Sequence, residues 1–311
     1  MNLIKYRYLY FAISLLVIIP GIVALILWGL PLGIDFTGGS MLEVKFNSGK
    51  QPAIADVNAI YNQMATSSLQ ISNPVVQPLG TDSMTIRSGE LGTATETEII
   101  QKMETRFNTP ITVLDFDQVS AAIGNEVAVR AMGAVALAAV FILLYITFAF
   151  RGVKHAFRYG TAAIIAMIHD ILVTVSVEAI LGHFLGWQAD SLFLTALLTV
   201  IGFSVHDTIV VFDRIRENSN IYRRVEYERV VNHSVVQTLD RSINTQLTVM
   251  MTLLALALFG GESIRHFVVI LLAGVFSGTY SSIFNASPVL VVWENKEWRT
   301  WFRRKEQPQP A

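Results

Sequence analysis

The sequence predicts an α-helical membrane protein of six transmembrane helices, with a small α+β domain inserted after the first. Three observations carry this. The 311 residues are 52% hydrophobic and 15% charged, with a mean hydropathy of +0.49, too apolar for an ordinary soluble chain. Six stretches are long enough to cross hydrocarbon at about 1.5 Å per residue: 9–30, 128–149, 159–181, 191–212, 243–260 and 266–293. The connections also differ sharply in charge. Lys5 and Arg7 precede the first stretch, and Arg151, Lys154 and Arg158 separate the second from the third. Arg214, Arg216, Arg223, Arg224, Arg229 and Arg241 lie between the fourth and fifth, and Lys296, Arg299, Arg303, Arg304 and Lys305 follow the sixth. With six spans, these 16 of the 23 basic residues share one side, while 182–190 holds none and 261–265 only Arg265. The positive-inside rule then places both termini in the cytoplasm. A net charge of −1 points to no nucleic-acid partner, and the absence of cysteine excludes disulfides, iron–sulfur clusters and cysteine zinc sites.

In chain order, residues 1–30 form the first span. Its apolar run of about 20 residues exceeds the roughly 7–15 of a cleavable signal core, and no small-residue cleavage site follows, so it reads as uncleaved. The chain leaves the membrane through GIDFTGGS (33–40), where Gly33, Gly38 and Gly39 suit a hinge or a packed turn at the membrane surface. No P-loop Lys-Ser/Thr follows, which disfavours phosphate binding.

Residues 31–127 are too long for a simple connection. MLEVKFN (41–47) alternates like a strand, and 52–64 has helical spacing with Pro52 at its start. Strand-like runs follow at 69–77 and 83–88, then a helix over 93–107 with Thr and Glu in its first turn, then a strand at 111–117. The order β-α-β-β-α-β is that of a ferredoxin-like unit. Nothing in it clusters as a metal site or a nucleophile.

The membrane region, 128–293, carries the chemistry. Asp170 lies near the middle of the third span, where insertion costs roughly 2.5–3.5 kcal/mol before any partner helps. Such a residue serves proton or ion handling, or else a static buried polar contact. Asp207 lies in the fourth span, about 9 Å to the cytoplasmic side of its centre. Arg214, at i+7, is on nearly the same face, and its long stem could reach back toward Asp207. His169 and His206 each precede one of these acids, but adjacent helical positions point about 100° apart, which argues against chelation from one face. Gly274, Gly278 and Ser282, continued by Ala286, make a small-residue stripe for close helix packing beside a polar path of Ser277, Thr279, Tyr280, Ser281 and Asn285. Residues 213–242 form a charged cytoplasmic loop whose apolar positions, Ile221, Val225, Val230, Val235 and Leu239, suggest an amphipathic helix along the surface. Residues 294–311 are a cytoplasmic tail.

These motifs converge. GIDFTGG after the first span, the His-Asp of the third, IGFSVHDTIVVFDRIREN, QTLDRSINTQLT and GTYSSIFNASPVLVVWE together resemble the SecF family of the bacterial Sec translocase, in order along essentially the whole chain. The resemblance implies one half of an RND-like transporter in the bacterial cytoplasmic (inner) membrane, with 31–127 as its periplasmic domain. Implied partners are SecD, the SecYEG channel, SecA functionally, the translocating polypeptide and membrane lipids. The implied function is to use the proton motive force for late-stage polypeptide translocation, with no cofactor, no metal and no catalytic site of its own. Asp170, Asp207 and Arg214 map onto the family's proton pathway. His206 stands where the family usually has Asn, Phe203 where it has Tyr, and Asn285 replaces a more apolar residue. Two rival classes fit less well. A small-molecule exporter needs two six-span halves in one chain. An intramembrane aspartyl protease needs a G-x-G-D element where this chain reads IGFSVHD.

Overall fold

The computed structural model describes residues 1–64, 74–153 and 155–297. Expectations for 69–73, for Lys154 and for the tail beyond 297 lie outside the described residues. Helix α1 (Arg7–Trp28) is followed by the single turn α2 (Ile34–Thr37), strand β1 (Gly39–Phe46) and helix α3 (Ile54–Met64). Next come β2 (Val75–Leu79), β3 (Ser83–Ser88), α4 (Thr93–Phe107) and β4 (Ile111–Val119). The remaining helices are α5 (Ala121–Ala149), α6 (Ala156–Leu185), α7 (Ser191–Ile221), α8 (Tyr227–Phe259), α9 (Glu262–Ser281) and α10 (Ser287–Glu294), with a π-helical turn at Ser282–Ala286 joining the last two. Six helices are long and apolar enough to cross a membrane, the sixth running Ser263–Glu294 through that turn.

The sheet has the order β2-β3-β1-β4, antiparallel throughout, with Leu42 opposite Ile86 on one side and Phe116 on the other. This is the ferredoxin-like arrangement. Alternation along β1 turns Leu42, Val44 and Phe46 inward onto Val57, Tyr61, Ile99 and Met103 of the two helices. The bounds of α4 follow from its chemistry: Glu96 in the first turn and Arg106 in the last complement the helix dipole, and Asn108 adopts the left-handed conformation that stops it.

In the bundle the exposed face is apolar, as lipid demands. Leu16, Ile26 and Leu27 of α1, Phe141 and Phe148 of α5 and Phe259 of α8 all face outward. The interior is α6, α7 and α9, cored by Ala162, Ala166, Ile201, Val205, Phe212 and Ile283. No hydrophobic force drives apolar helices together in hydrocarbon, so close packing and interhelical hydrogen bonds hold these three.

Two expectations need correction. Residues 213–242 hold no separate surface helix. The fourth and fifth spans simply continue, as α7 to Ile221 and α8 from Tyr227, because Asn218 bonds Ser234 at 2.9 Å and Val230 and Val235 are buried between them. The fifth membrane helix likewise starts far earlier than 243. On the other side, α5 begins at Ala121, capped by Ser120, not at 128.

The sheet domain is tied to the bundle at more than its chain connections. Gly33 donates to the Ala189 carbonyl at 2.6 Å, and Ala189 donates to that of Pro31 at 2.8 Å. The Ser191 amide donates to Asp35 at 2.7 Å, and the Gln77 amide on β2 donates to the Gly186 carbonyl. Arg87 donates to Gln77 from β3. Burial lowers the pKa of that guanidinium from its ordinary value, while the charges of Asp190 and Asp35 oppose the shift. The glycines of 33–40 form a packed turn. Gly38 and Gly39 have φ of 77° and 128°, and a Cβ on Gly38 would lie 2.5 Å from the Ala121 backbone. Gly33 has ordinary extended backbone, so its contribution is close approach to the Ala189 carbonyl and to Asp190.

Candidate functional site

Asp170 is fully buried at the seam of α6, α7 and α9. Its Oδ1 accepts from Ser277 at 2.7 Å, and its Oδ2 accepts from Ser204 at 2.5 Å and Ser281 at 2.6 Å. His169 Nδ1 lies 3.0 Å from Oδ1, so the adjacent pair does meet, as a hydrogen bond. Ser277 and Ser281 are one turn apart on α9, which is why both reach the same carboxyl. Among the described residues no Lys or Arg pairs with this acid.

The small-residue stripe makes the site possible. Gly274 abuts Val200 and Thr174, and a Cβ on Gly278 would sit 3.2 Å from the Ser204 side chain. Ser282 donates to the Ser204 carbonyl at 3.0 Å and shares a hydrogen bond with Thr208 at 2.9 Å. Just beyond, Pro288 has no amide proton for the Phe284 carbonyl, and the chain widens into the π turn that starts at Ser282. That turn presents Asn285, whose amide donates to Ser14 of α1 at 2.9 Å.

Asp207 is also buried, but in a different seam: its Oδ2 accepts from Gln246 of α8 at 2.6 Å. Arg214 does not approach it. The guanidinium bonds Glu217 at 2.8 Å, one turn on, because extending to the exposed end of α7 keeps its charge in water. His206 points away from the bundle interior. Among the described residues no group of three or more His, Asp or Glu side chains could hold a metal.

Glu178 escaped the sequence reading altogether. It lies two turns beyond Asp170 on α6, is fully buried and meets His266 Nε2 at 2.7 Å. The available signal was the i, i+4, i+8 row Asp170–Thr174–Glu178, which puts both acids on one stripe.

The serine cluster gives Asp170 a way to change protonation without rebuilding its surroundings. As a carboxylate it accepts from the hydroxyls. As an acid its proton can go to Ser281 Oγ, whose own hydrogen then turns to the Gly278 carbonyl 3.2 Å away.

Fold and site together define a multi-pass membrane protein that keeps carboxyl groups inside its bundle and carries one ferredoxin-like domain. Residues 99–296 match the family described as Protein export membrane protein SecD/SecF, C-terminal, and 29–49 match the SecD/SecF GG Motif. Protein translocase subunit SecF of Anaerolinea thermophila is 55% identical over the full length of both chains, and that of Thermobaculum terrenum 48% identical over 98% of each. The crystal structure of SecDF from Thermus thermophilus, a translocon-associated membrane protein, superposes with a TM-score of 0.80 at 29% identity. It covers 95% of this chain, which spans 39% of that one. The chain belongs to the SecF family of Sec protein translocase subunits.

Proposed function

We propose that this chain works with SecD in the bacterial cytoplasmic membrane, with both termini in the cytoplasm and residues 31–127 in the periplasm. It draws on the proton motive force to drive late-stage passage of a polypeptide through SecYEG after SecA has acted. The supporting observation is Asp170, a carboxyl buried completely among three hydroxyls and an imidazole, with no Lys or Arg bonded to it among the described residues. A permanently paired acid would be a structural contact. This one has in Ser281 a donor that can turn instead to the Gly278 carbonyl. Asp207 and Arg214, in the cytoplasmic half of α7, take the exit side of the path. Gly274, Gly278 and Ser282 hold α9 close enough to α7 for the serines to reach. The role requires no cofactor and no covalent catalysis.

One proton falling through 100 mV releases about 2.3 kcal/mol, enough to bias a two-state equilibrium roughly fiftyfold. The test is Asp170→Asn, reconstituted with SecD and the channel in vesicles under an imposed proton gradient. We expect the gradient-dependent component of late translocation to disappear while the ATP-driven component remains. A mutant that keeps its full response to the gradient overturns the reading.

A further inference from the structure

Glu178 is the second acid held wholly inside the bundle on α6, and the role proposed above leaves it unused. It sits about 12 Å from Asp170 along the helix, toward the end that carries the sheet domain. One of its oxygens meets His266; the other, Oε1, is buried and has no hydrogen-bond partner among the described residues. An unpartnered oxygen on a buried carboxylate is costly, whereas on a protonated acid the burden is smaller. His266 stands four positions into α9, beside the loop before α7, with its ring 4.8 Å from that of Trp187. Its side chain is 15% exposed and that of Glu178 is 0% exposed, so the imidazole lies between the acid and the surface.

Among the described residues the surrounding charges are few, and Arg87 of β3, on Gln77 and near Asp190 and Asp35, is one of them. On α6, His183 stacks on Trp28 of α1. On α9, Arg265 neighbours His266. Asp190 caps α7, Asp35 bonds Ser191, and Glu126 and Arg130 of α5 pair with each other. Residues 11–28 of α1 and 247–259 of α8 contain no ionisable side chain. Between the two acids stands Thr174, fully buried, its hydroxyl donating to the Asp170 carbonyl at 2.8 Å.

We propose that Glu178 and His266 form a proton-collecting site at the outer mouth of the α6–α9 seam, which loads Asp170 from that side. Imidazole is the side chain whose ordinary pKa lies closest to neutrality, and a carboxyl sharing its hydrogen bond can exchange a proton with it with little rearrangement. The inference rests on proton coupling through Asp170. At the outer end an imidazole gathers protons from water; at the inner end a carboxyl stores them.

The test uses the complete complex in vesicles, with the outer pH varied while the inner pH and the membrane potential are held fixed. Glu178→Gln and His266→Gln should each move the outer pH for half-maximal gradient-driven translocation about one unit toward acid, a tenfold higher proton demand, with the plateau rate restored there. Glu178→Asp should return toward wild type. A uniform loss at every pH would mean a purely structural pair and would overturn the inference, as would an unchanged profile. If a Glu178 or His266 variant fails to assemble, infrared difference spectra of the wild-type and Asp170→Asn complexes on an outer pH jump supply the readout. A protonated-carboxyl band that changes with outer pH in Asp170→Asn supports the site, and its absence there refutes it. A gradient response surviving in Asp170→Asn instead defeats the underlying reading, so the two failures are distinguishable.

Discussion

At the scale of single residues the chemistry depends on which hydroxyls can reverse. Ser281 has a second acceptor, the Gly278 carbonyl, whereas Ser277 donates to Asp170 with no alternative among its described bonds. Ser281→Ala is therefore expected to slow gradient-driven translocation about tenfold, equivalent to roughly 1.4 kcal/mol on the rate-limiting step, with a smaller fall in Ser277→Ala. Equal losses in a side-by-side translocation assay would show that hydroxyl reversal plays no part. The burial of Asp170 and Asp207 inside the bundle was legible in the sequence because acids inside apolar runs carry their own signal. Arg214 was misread because spacing along a helix fixes a face and not the direction in which a long stem extends. Glu178 was missed because it stands close to the end of its apolar run, where an acid is less costly. His266, its partner, is 88 positions away, a pairing that only the tertiary fold creates.

The elements read more easily than their ends. The helix over 93–107 and the strand at 83–88 were fixed by local pattern alone, and the chain order β-α-β-β-α-β pointed to the ferredoxin-like unit, whose sheet order the structure supplies. Membrane helix ends were not legible, since hydropathy marks where a helix enters lipid and says nothing of how far it continues into water. This is why α7 and α8 run on through the charged 213–242 segment. The α7–α9 contact is the one on which the site most depends. A Cβ at Gly278 would already sit 3.2 Å from Ser204, so Gly278→Val should push the helices apart and cost about 1–3 kcal/mol. Thermal unfolding of the full chain in detergent should register the loss. Gly133→Val on α5, where a Cβ meets nothing within 4 Å, should leave the midpoint nearly unchanged. A comparable drop for both would remove close packing as the reason for the stripe.

For the whole molecule, the question is whether the sheet domain moves against the bundle. A Cβ at Gly33 would lie 3.3 Å from that of Asp190, near the roughly 3.5–4.5 Å spanned by a disulfide. The natural chain has no cysteine, so the double variant Gly33→Cys, Asp190→Cys introduces the only pair. Oxidation should suppress gradient-driven translocation, and reductant should restore it. The single Asp190→Cys controls for the lost cap on α7, worth about 1 kcal/mol. Full activity in the oxidised form would show that the junction stays fixed through the cycle. The overall plan of six long apolar helices with one sheet domain inserted after the first was readable from hydropathy and local pattern. The junction was not, because it joins backbone groups of Pro31, Gly33, Gly186, Ala189 and Ser191 to each other and to the Asp35 and Gln77 side chains, pairings that only the fold creates.

That junction has a mechanical consequence. The eight residues of β1 extend about 26 Å, and the Gln77 bond to Gly186 meets the sheet in register with Glu43, midway along that strand, so a movement of the end of α6 is passed into the middle of the sheet as well as to its base. Under the proposed coupling, a rearrangement around the buried carboxyl of α6 would reach the sheet through Gly186 as a push at mid-strand, with the outer half of β1 carried along.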